Sequence, residues 1–298
     1  MIRSDLLEWT RGLEQTCDVL VIGGGATGLG VAVQAALEGR HVALLEARDF
    51  ACGTSSRSTK LLHGGVRYLA QGRIKLVREA LRERAIVLGL APHLAQPLPF
   101  VVAERSWWSW VVTAVGLKLY QWLAGRLSLG LTETLGGPAL GRLMPGLRGA
   151  VAGVRYWDGQ FEDARLALAL ACTAQQAGAH LRNHTRVIGL SRQPEGWAVT
   201  LQDSLSGQTA TVHARCVVNA TGVWVDGVRR WLPQPAPQAG LNKAAWPATL
   251  VRPSQGVHLV VSRDKLPLDE AVLVPRTADG RVLFAVPWLG ATVIGTTD

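Results

Sequence analysis

The most chemically loaded run in the chain is GTSSRSTKLLHGGVRYLAQGR, residues 53–73. Small hydroxyl side chains, among them Ser55, Ser56, Ser58 and Thr59, precede a lysine, a histidine and a glycine pair, and Arg67 and Tyr68 follow at once. Small hydroxyls donate and accept hydrogen bonds without bulk. A histidine exchanges a proton near neutral pH, and an arginine offers a planar cationic fork to an anion. No amphipathic pattern requires this composition, and a serine-rich surface loop would not explain KLLHGGVRYL following directly. What the run does depends on the ligand the upstream chain can hold.

That upstream chain, CDVLVIGGGATGLGVAVQAALEGRHVALLEARD (17–49), reads as strand, glycine turn, helix, strand. Asp18 to Ile22 is a short apolar run of the kind buried in a parallel sheet. Gly23, Gly25 and Gly28 then fit the pattern G-x-G-x-x-G. The first permits a tight turn, the second lets a pyrophosphate approach the backbone, and the third lets the helix pack closely on the strand. The whole turn (Gly23, Gly24, Gly25, Ala26, Thr27, Gly28) is expected to line the phosphates, at a helix N-terminus with free N–H groups. A second strand, His41 to Leu45, ends at Glu46, eighteen residues after Gly28. A carboxylate there can accept both ribose hydroxyls of an adenosine.

A later run, ARCVVNATGVWVD (214–226), is an apolar strand ending in Asn219-Ala220-Thr221-Gly222. It resembles the returning strand of two-segment FAD folds, in which Ala220, Thr221 and Gly222 would approach the cofactor. Between the two segments, residues 179–214 alternate strand-like runs with turns. In such folds the residue matching Val187 contacts adenine through its main chain. Together these features favour FAD over NAD. The hydroxyl run then lies on the path from pyrophosphate to flavin, where small polar residues and glycines suit a closely passing backbone.

Seven segments carry a more specific resemblance: DVLVIGGGATGLGVA, GTSSRSTKLLHGGVRYLAQG, APHLAQPLPF, FEDARLALA, NATGVWVD, VRPSQGVHLVV and FAVPWLGATVIGTTD. In this order they resemble the FAD-dependent, quinone-linked glycerol-3-phosphate dehydrogenases, from Cys17 to Asp298. The resemblance implies oxidation of sn-glycerol 3-phosphate to dihydroxyacetone phosphate, by hydride transfer from C2 to flavin N5, with electrons passed to a membrane quinone. It implies that Gly23, Gly25, Gly28 and Glu46 hold the adenosine diphosphate half of FAD, and that Thr54, Ser55, Ser58 and Leu62 line the path to the flavin. His63, Arg67, Tyr68 and His258 would stand at the substrate end. Either histidine could take the hydroxyl proton, and Arg67 could meet the phosphate or the developing alkoxide. Rival readings are a flavin oxidoreductase of the same fold acting on amines or hydroxy acids, and an incomplete FAD-binding fragment.

Three departures from the family pattern stand out. Gln255 occupies a position where lysine is common, and Val223 one where proline is common. The family also continues beyond GTTD to an arginine and a lysine that reach its active site, so the resemblance makes this chain a truncated member.

Composition sets the frame. The chain has 298 residues, 48% of them hydrophobic, with 33 glycines, which suits a globular α/β protein. A net charge of +9 fits an anionic substrate or an anionic lipid surface; no nucleic-acid motif accompanies it. The four cysteines (Cys17, Cys52, Cys172, Cys216) form no CxxC pair, so mostly buried, reduced thiols of a cytosolic protein are expected, and no metal site. The N-terminus lacks the apolar core of a secretory signal. The expected fold is a FAD-binding Rossmann-like domain in two pieces, 17–75 and 150–232, its parallel sheet with helices interwoven with an antiparallel substrate-binding sheet. A helical cap would span 76–149, substrate-domain strands 243–298, and a linker 232–247.

RSWWSWVVTAVGLKLYQWLAGR (105–126) is too short and too interrupted to span a membrane. As a helix it gathers Trp108, Val111, Val112, Val115, Leu119, Trp122 and Leu123 into one stripe, with Tyr120 on the other side. Basic ends and tryptophans suit a helix lying in the headgroup region. An amphipathic helix packed in the core is the alternative reading. The quinone-linked family resemblance implies instead peripheral association with the inner face of the cytoplasmic membrane, and a homodimer is one assembly compatible with it. The arginine-rich helix from Ile74 to Leu90 reads as a solvated face.

Overall fold

Elements follow the apolar runs and glycine turns. The computed structural model describes residues 5–295 apart from 14–15, 145–146, 148, 233–248, 276, 278–279 and 281. From residue 233 onward, therefore, the expected linker falls outside the described residues. In chain order come α1 (Leu6–Arg11), β1 (Cys17–Ile22), α2 (Ala26–Leu37) and β2 (Val42–Leu45). They are followed by β3 (Leu61–Leu62), α3 (Val66–Leu69), α4 (Ile74–Leu90), β4 (Ala95–Glu104) and α5 (Trp107–Ala124). Next are β5 (Glu133–Gly136), α6 (Gly137–Leu143), β6 (Ala152–Phe161), α7 (Asp163–Gln176) and β7 (His180–Arg182). The chain continues through β8 (Thr185–Gln193), β9 (Gly196–Asp203), β10 (Thr209–Asn219) and α8 (Val225–Arg229). It closes with β11 (His258–Ser262), β12 (Ala271–Val274), β13 (Leu283–Trp288) and β14 (Ala291–Gly295).

Two compact units share these elements: residues 1–58 with 163–253, and residues 59–162 with 254–298. The sequence-based boundaries differ. Residues 59–75 and 150–162 belong to the second unit, and 76–149 is no separate cap, since β4 and β5 pair with β6 in that unit's sheet.

The first unit is built on a six-stranded sheet in the order β7-β2-β1-β10-β9-β8. β7, β2, β1 and β10 run parallel, β9 is antiparallel to β10, and β8 is antiparallel to β9. β2 is buried along its whole length, as a strand covered on both faces must be. One face packs α2 and α7 through Leu29 and through Ala32, Ala167 and Ala171, and the small alanines allow close approach. The other buries Leu6, Leu20, Val199 and Leu201.

The second unit has a sheet in the order β11-β14-β13-β12-β4-β6-β3, with β5 also on β6. All pairs are antiparallel except β12 with β4. Along β4 the side chains alternate. Phe100 and Val102 face α4 and α5 through Val77, Leu81, Leu117 and Tyr120, while Val101 and Ala103 join Leu140 and Met144 near α6.

Two readings need correction. Arg84, on α4, is buried, so that helix is not a uniformly solvated face. Of the cysteines, all four are free thiols, but Cys172 and Cys216 are exposed and only Cys17 is fully buried. Among the described residues no helix is long and apolar enough to cross a membrane, and no cluster of residues could hold a metal ion.

Candidate functional site

In the first unit the three glycines of the turn have different reasons to be glycine. Gly23 adopts φ +112°, and a Cβ there would lie 2.5 Å from the Ala220 carbonyl oxygen. Ala220 is fixed by its N–H, which donates to Ile22 O at 2.9 Å, so the Ala220-Thr221-Gly222 turn abuts the glycine turn. At Gly28 a Cβ would lie 1.9 Å from Gly23 O. Gly25 is unstrained at φ −84°, and a Cβ would meet only Ser55 Oγ, at 3.0 Å. Its missing side chain therefore leaves open space, not relief from a packing clash.

Gly25 is also the N-cap of α2, whose first-turn N–H groups have no acceptor within the helix. Ser55 Oγ accepts one of them, from Ala26, at 2.9 Å. Glu46, at the end of β2, accepts the Gly24 N–H on Oε2 at 2.7 Å and the Arg48 N–H on Oε1 at 2.8 Å. The carboxylate thus braces the turn, and each oxygen keeps a further lone pair to offer a hydroxyl. Val187 buries its side chain in the core beside a β-bulge, and Thr185 N–H ties the start of β8 to Glu46 O at 2.8 Å. Thr54 is exposed at the start of a short 3-10 turn. Ser58 Oγ donates to buried Asp163 Oδ2 at 2.7 Å.

An open cradle at Gly25, unsatisfied N–H groups at a helix N-terminus and a carboxylate at the end of the next strand suit the two ends of an adenosine diphosphate. The donor set fits FAD.

In the second unit Leu62 pairs with Gly159 across β3 and β6, and the exposed His63 follows. Gly65 takes the left-handed φ of +78° and caps α3, the short helix that carries Arg67 and exposed Tyr68. His258 opens β11 with Nε2 3.4 Å from Thr59 Oγ1. Its ring covers Gly295, where a Cβ would come within 2.1 Å of Cδ2. The last hydroxyl of the run is thereby joined to His258, whereas His63 and His258 share no hydrogen bond among the described residues. A cavity of about 280 Å³ lined by His93, Gln96, Gln160 and Trp288, among others, takes in none of the described side chains His63, Tyr68 and His258.

Sequence reasoning missed a buried charge behind the HGG turn. Asp158, on β6 and 1% exposed, accepts the Gly64 N–H at 3.0 Å and 3.2 Å, Arg84 Nη1 at 2.9 Å and the Tyr120 hydroxyl at 3.1 Å. Burial pushes the Asp158 carboxyl up, against the opposing pull of the Arg84 guanidinium. The same burial raises Tyr120 and Tyr156 well above the usual phenol range. A signal existed: Val77, Leu81 and Arg84 fall on one face of a helix, so Arg84 belongs to the buried stripe.

Residues 18–298 match the family model described as "FAD dependent oxidoreductase". The chain belongs to this family. Within it, the mitochondrial glycerol-3-phosphate dehydrogenase of Macaca fascicularis is 42% identical over 297 residues, covering 94% of this chain and 39% of that protein. A glycerol-3-phosphate dehydrogenase of Mycobacterium leprae is 43% identical over 295 residues, 97% of this chain and 48% of the relative. Among solved structures, the glycerol-3-phosphate dehydrogenase from Bacillus halodurans complexed with FAD superposes with a TM-score of 0.73 at 32% identity. That alignment covers 98% of this chain and 49% of the other. The chain thus spans less than half the length of these relatives. A glycine oxidase from Geobacillus kaustophilus, at 22% identity and TM-score 0.66, shares the fold. Membership places the chain in an α/β family of FAD-dependent oxidoreductases, in line with the fold and cofactor expected from the sequence.

Proposed function

We propose that the protein oxidises sn-glycerol 3-phosphate to dihydroxyacetone phosphate with FAD and delivers the electrons to a membrane quinone. The observation that carries this is the identity of 42–43% with glycerol-3-phosphate dehydrogenases along nearly the whole chain, joined to a glycine turn whose cradle fits FAD. Bound FAD supplies the acceptor for the C2 hydride and the relay to the quinone.

This chain's residues do the rest. Gly23, Gly24, Gly25, Ala26, Thr27 and Gly28 bind the pyrophosphate through backbone N–H groups, and Glu46 takes the ribose. By the family resemblance Thr54, Ser55, Ser58 and Leu62 would line the way to the flavin, Ala220, Thr221 and Gly222 would approach the cofactor, and Val187 would contact the adenine. Two of these carry a bracing duty as well: Ser55 on α2 and Ser58 on Asp163. Arg67 meets the substrate phosphate, and Tyr68 flanks it. His63 or His258 accepts the hydroxyl proton as C2 loses its hydride. His258 has Thr59 Oγ1 beside Nε2 to fix its ring, and His63 is exposed.

The outer stripe of α5 supports a peripheral seat on the inner face of the cytoplasmic membrane. Trp108 is 83% exposed, Val112 69% and Trp122 70%, while Ala114, Leu117, Tyr120 and Ala124 are buried. A cluster of tryptophans and valines facing solvent suits the headgroup region, within reach of a lipid-soluble acceptor.

The test is anaerobic titration of the flavin-loaded protein with sn-glycerol 3-phosphate, and separately with glycine, sarcosine and lactate. Bleaching of the flavin absorbance by glycerol 3-phosphate alone is expected. Bleaching by an amine or hydroxy acid instead would replace this substrate with the rival class.

A further inference from the structure

The HGG turn is held from behind by one buried side chain. Asp158 reaches Gly64 N–H with both carboxylate oxygens and is itself held by Arg84, by Tyr120 and by the Gly159 N–H at 3.2 Å. Arg84 in turn donates from Nη2 to Leu127 O at 3.0 Å, which anchors the pair beyond the end of α5. Three elements, α4, α5 and β6, thus converge on a single backbone amide.

Sterics allow no other residue at that amide. A Cβ on Gly64 would lie 2.1 Å from Tyr120 Oη and 2.5 Å from Leu81 Cδ2. Gly65 then turns at φ +78° and launches α3, so the direction of the helix carrying Arg67 and Tyr68 follows from where Gly64 is pinned. His63 is the residue immediately before the pin. An ion pair kept only for stability would need no loop amide, because a buried pair can be exchanged for apolar groups at little cost. The fourth donor here is the turn itself.

We propose that Asp158 is a positioning residue for the reaction: it fixes Gly64, and through Gly64 sets His63 on one side and Arg67 and Tyr68 on the other. Arg84 and Tyr120 act through it, orienting its carboxylate. This inference rests on the reading above that the HGG turn and α3 meet the substrate. A turn misplaced by about 1 Å can cost as much as a hundredfold in rate, because the substrate is no longer presented in line.

The test compares two double variants of the flavin-loaded protein, each without the buried charge pair. Arg84→Met with Asp158→Leu leaves the Gly64 N–H without an acceptor. Arg84→Met with Asp158→Asn keeps an amide oxygen there. Hydrogen exchange over residues 61–69 should be at least about tenfold faster in the leucine double than in the parent, and kcat/KM for sn-glycerol 3-phosphate at least about tenfold lower. FAD content should be unchanged, and the asparagine double should recover most of both losses. If the two doubles match each other in exchange and in kcat/KM, Asp158 is only a charge partner and the inference falls. Should neither double fold, Tyr120→Phe, which removes one donor and no charge, decides by the same exchange measurement: unchanged exchange overturns the proposal. A parent that does not oxidise glycerol 3-phosphate overturns the functional reading instead, and the exchange comparison alone then decides this one.

Discussion

Ser55 Oγ accepts the N–H of Ala26 at 2.9 Å, joining the hydroxyl run to the N-terminus of α2. The same oxygen lies 3.0 Å from where a Cβ on Gly25 would be. One hydroxyl therefore marks both the helix end and the edge of the space that Gly25 leaves open. That space lies at the N-terminus of α2, whose first-turn N–H groups are what a phosphate needs.

Gly25 and Gly28 should consequently fail in different ways. Gly25→Ala adds a methyl group at an ordinary φ of −84°, 3.0 Å from Ser55 Oγ, which must shift by a few tenths of an ångström while it holds the Ala26 N–H. The protein should fold with a melting temperature only slightly lowered and lose at least about tenfold in FAD affinity, since on the proposed reading the methyl would stand where pyrophosphate approaches the backbone. Gly28→Ala places a Cβ 1.9 Å from a backbone oxygen, so it should lower the melting temperature or abolish folding. Equal flavin content in Gly25→Ala and parent would remove the cofactor from this turn.

Backbone-driven features were the legible ones. The strand, glycine turn and helix over Cys17–Leu37 can be read because apolar runs and glycines report directly on main-chain geometry. The Ala220 turn was legible as a motif, but its abutment on Gly23 depends on β10 pairing with β1, a contact between residues nearly two hundred apart in the chain. Unit boundaries were misread because sheet membership of β4 and β5 is set by register with β6, which local pattern does not encode. Arg84 was hidden by its neighbours: a basic helix looks solvated residue by residue, and only its phase with Val77 and Leu81 betrays the buried partner. Tyr120 was seen on the polar side of α5, and that side is the one that packs inward.

A second buried ion pair stabilises the first unit. Arg182 Nη2 meets Asp203 Oδ2 at 2.8 Å, both side chains are buried, and Arg182 O accepts the Glu46 N–H at 2.9 Å. Asp203→Asn would remove the carboxylate charge from beside a buried guanidinium, at a cost of about 3–5 kcal/mol. Thermal unfolding should show that loss, and Arg182→Met added to it should restore part of the melting temperature. A single variant as stable as the parent would mean that water reaches the pair.

Cys17 gives a pH signature. Burial pushes its thiol from an ordinary value near 9 up to about 11. The folded state holds this proton more tightly than the unfolded chain, so the contribution to stability is complete below pH 9 and is lost as pH rises through 11. Chemical denaturation between pH 8 and 11 should show a steeper decline in the parent than in Cys17→Ala. A thiol reagent at pH 8 should label exposed Cys172 and Cys216 in the native protein and Cys17 only on unfolding. Prompt native labelling of Cys17 would contradict its burial.

The face of α5 makes the last prediction. Trp107, Trp108, Val111, Val112, Val115, Leu119 and Trp122 are all exposed on a helix whose inner side is already buried, so the stripe is not the core packing of this unit. Arg105 and Arg126 bracket the stripe and Lys118 lies within it, and each basic group near an anionic surface contributes about 1 kcal/mol that salt screens away. The protein should float with vesicles containing anionic phospholipid at low ionic strength and be released as salt is raised. It should float less with zwitterionic vesicles, where only the apolar term remains. Trp108→Ser with Trp122→Ser removes two side chains that already contact water, so flotation should fail while the melting temperature and FAD content stay as they were. Absence of flotation by the parent at low salt, or flotation that survives the double substitution, would detach this stripe from the membrane and leave it for another partner.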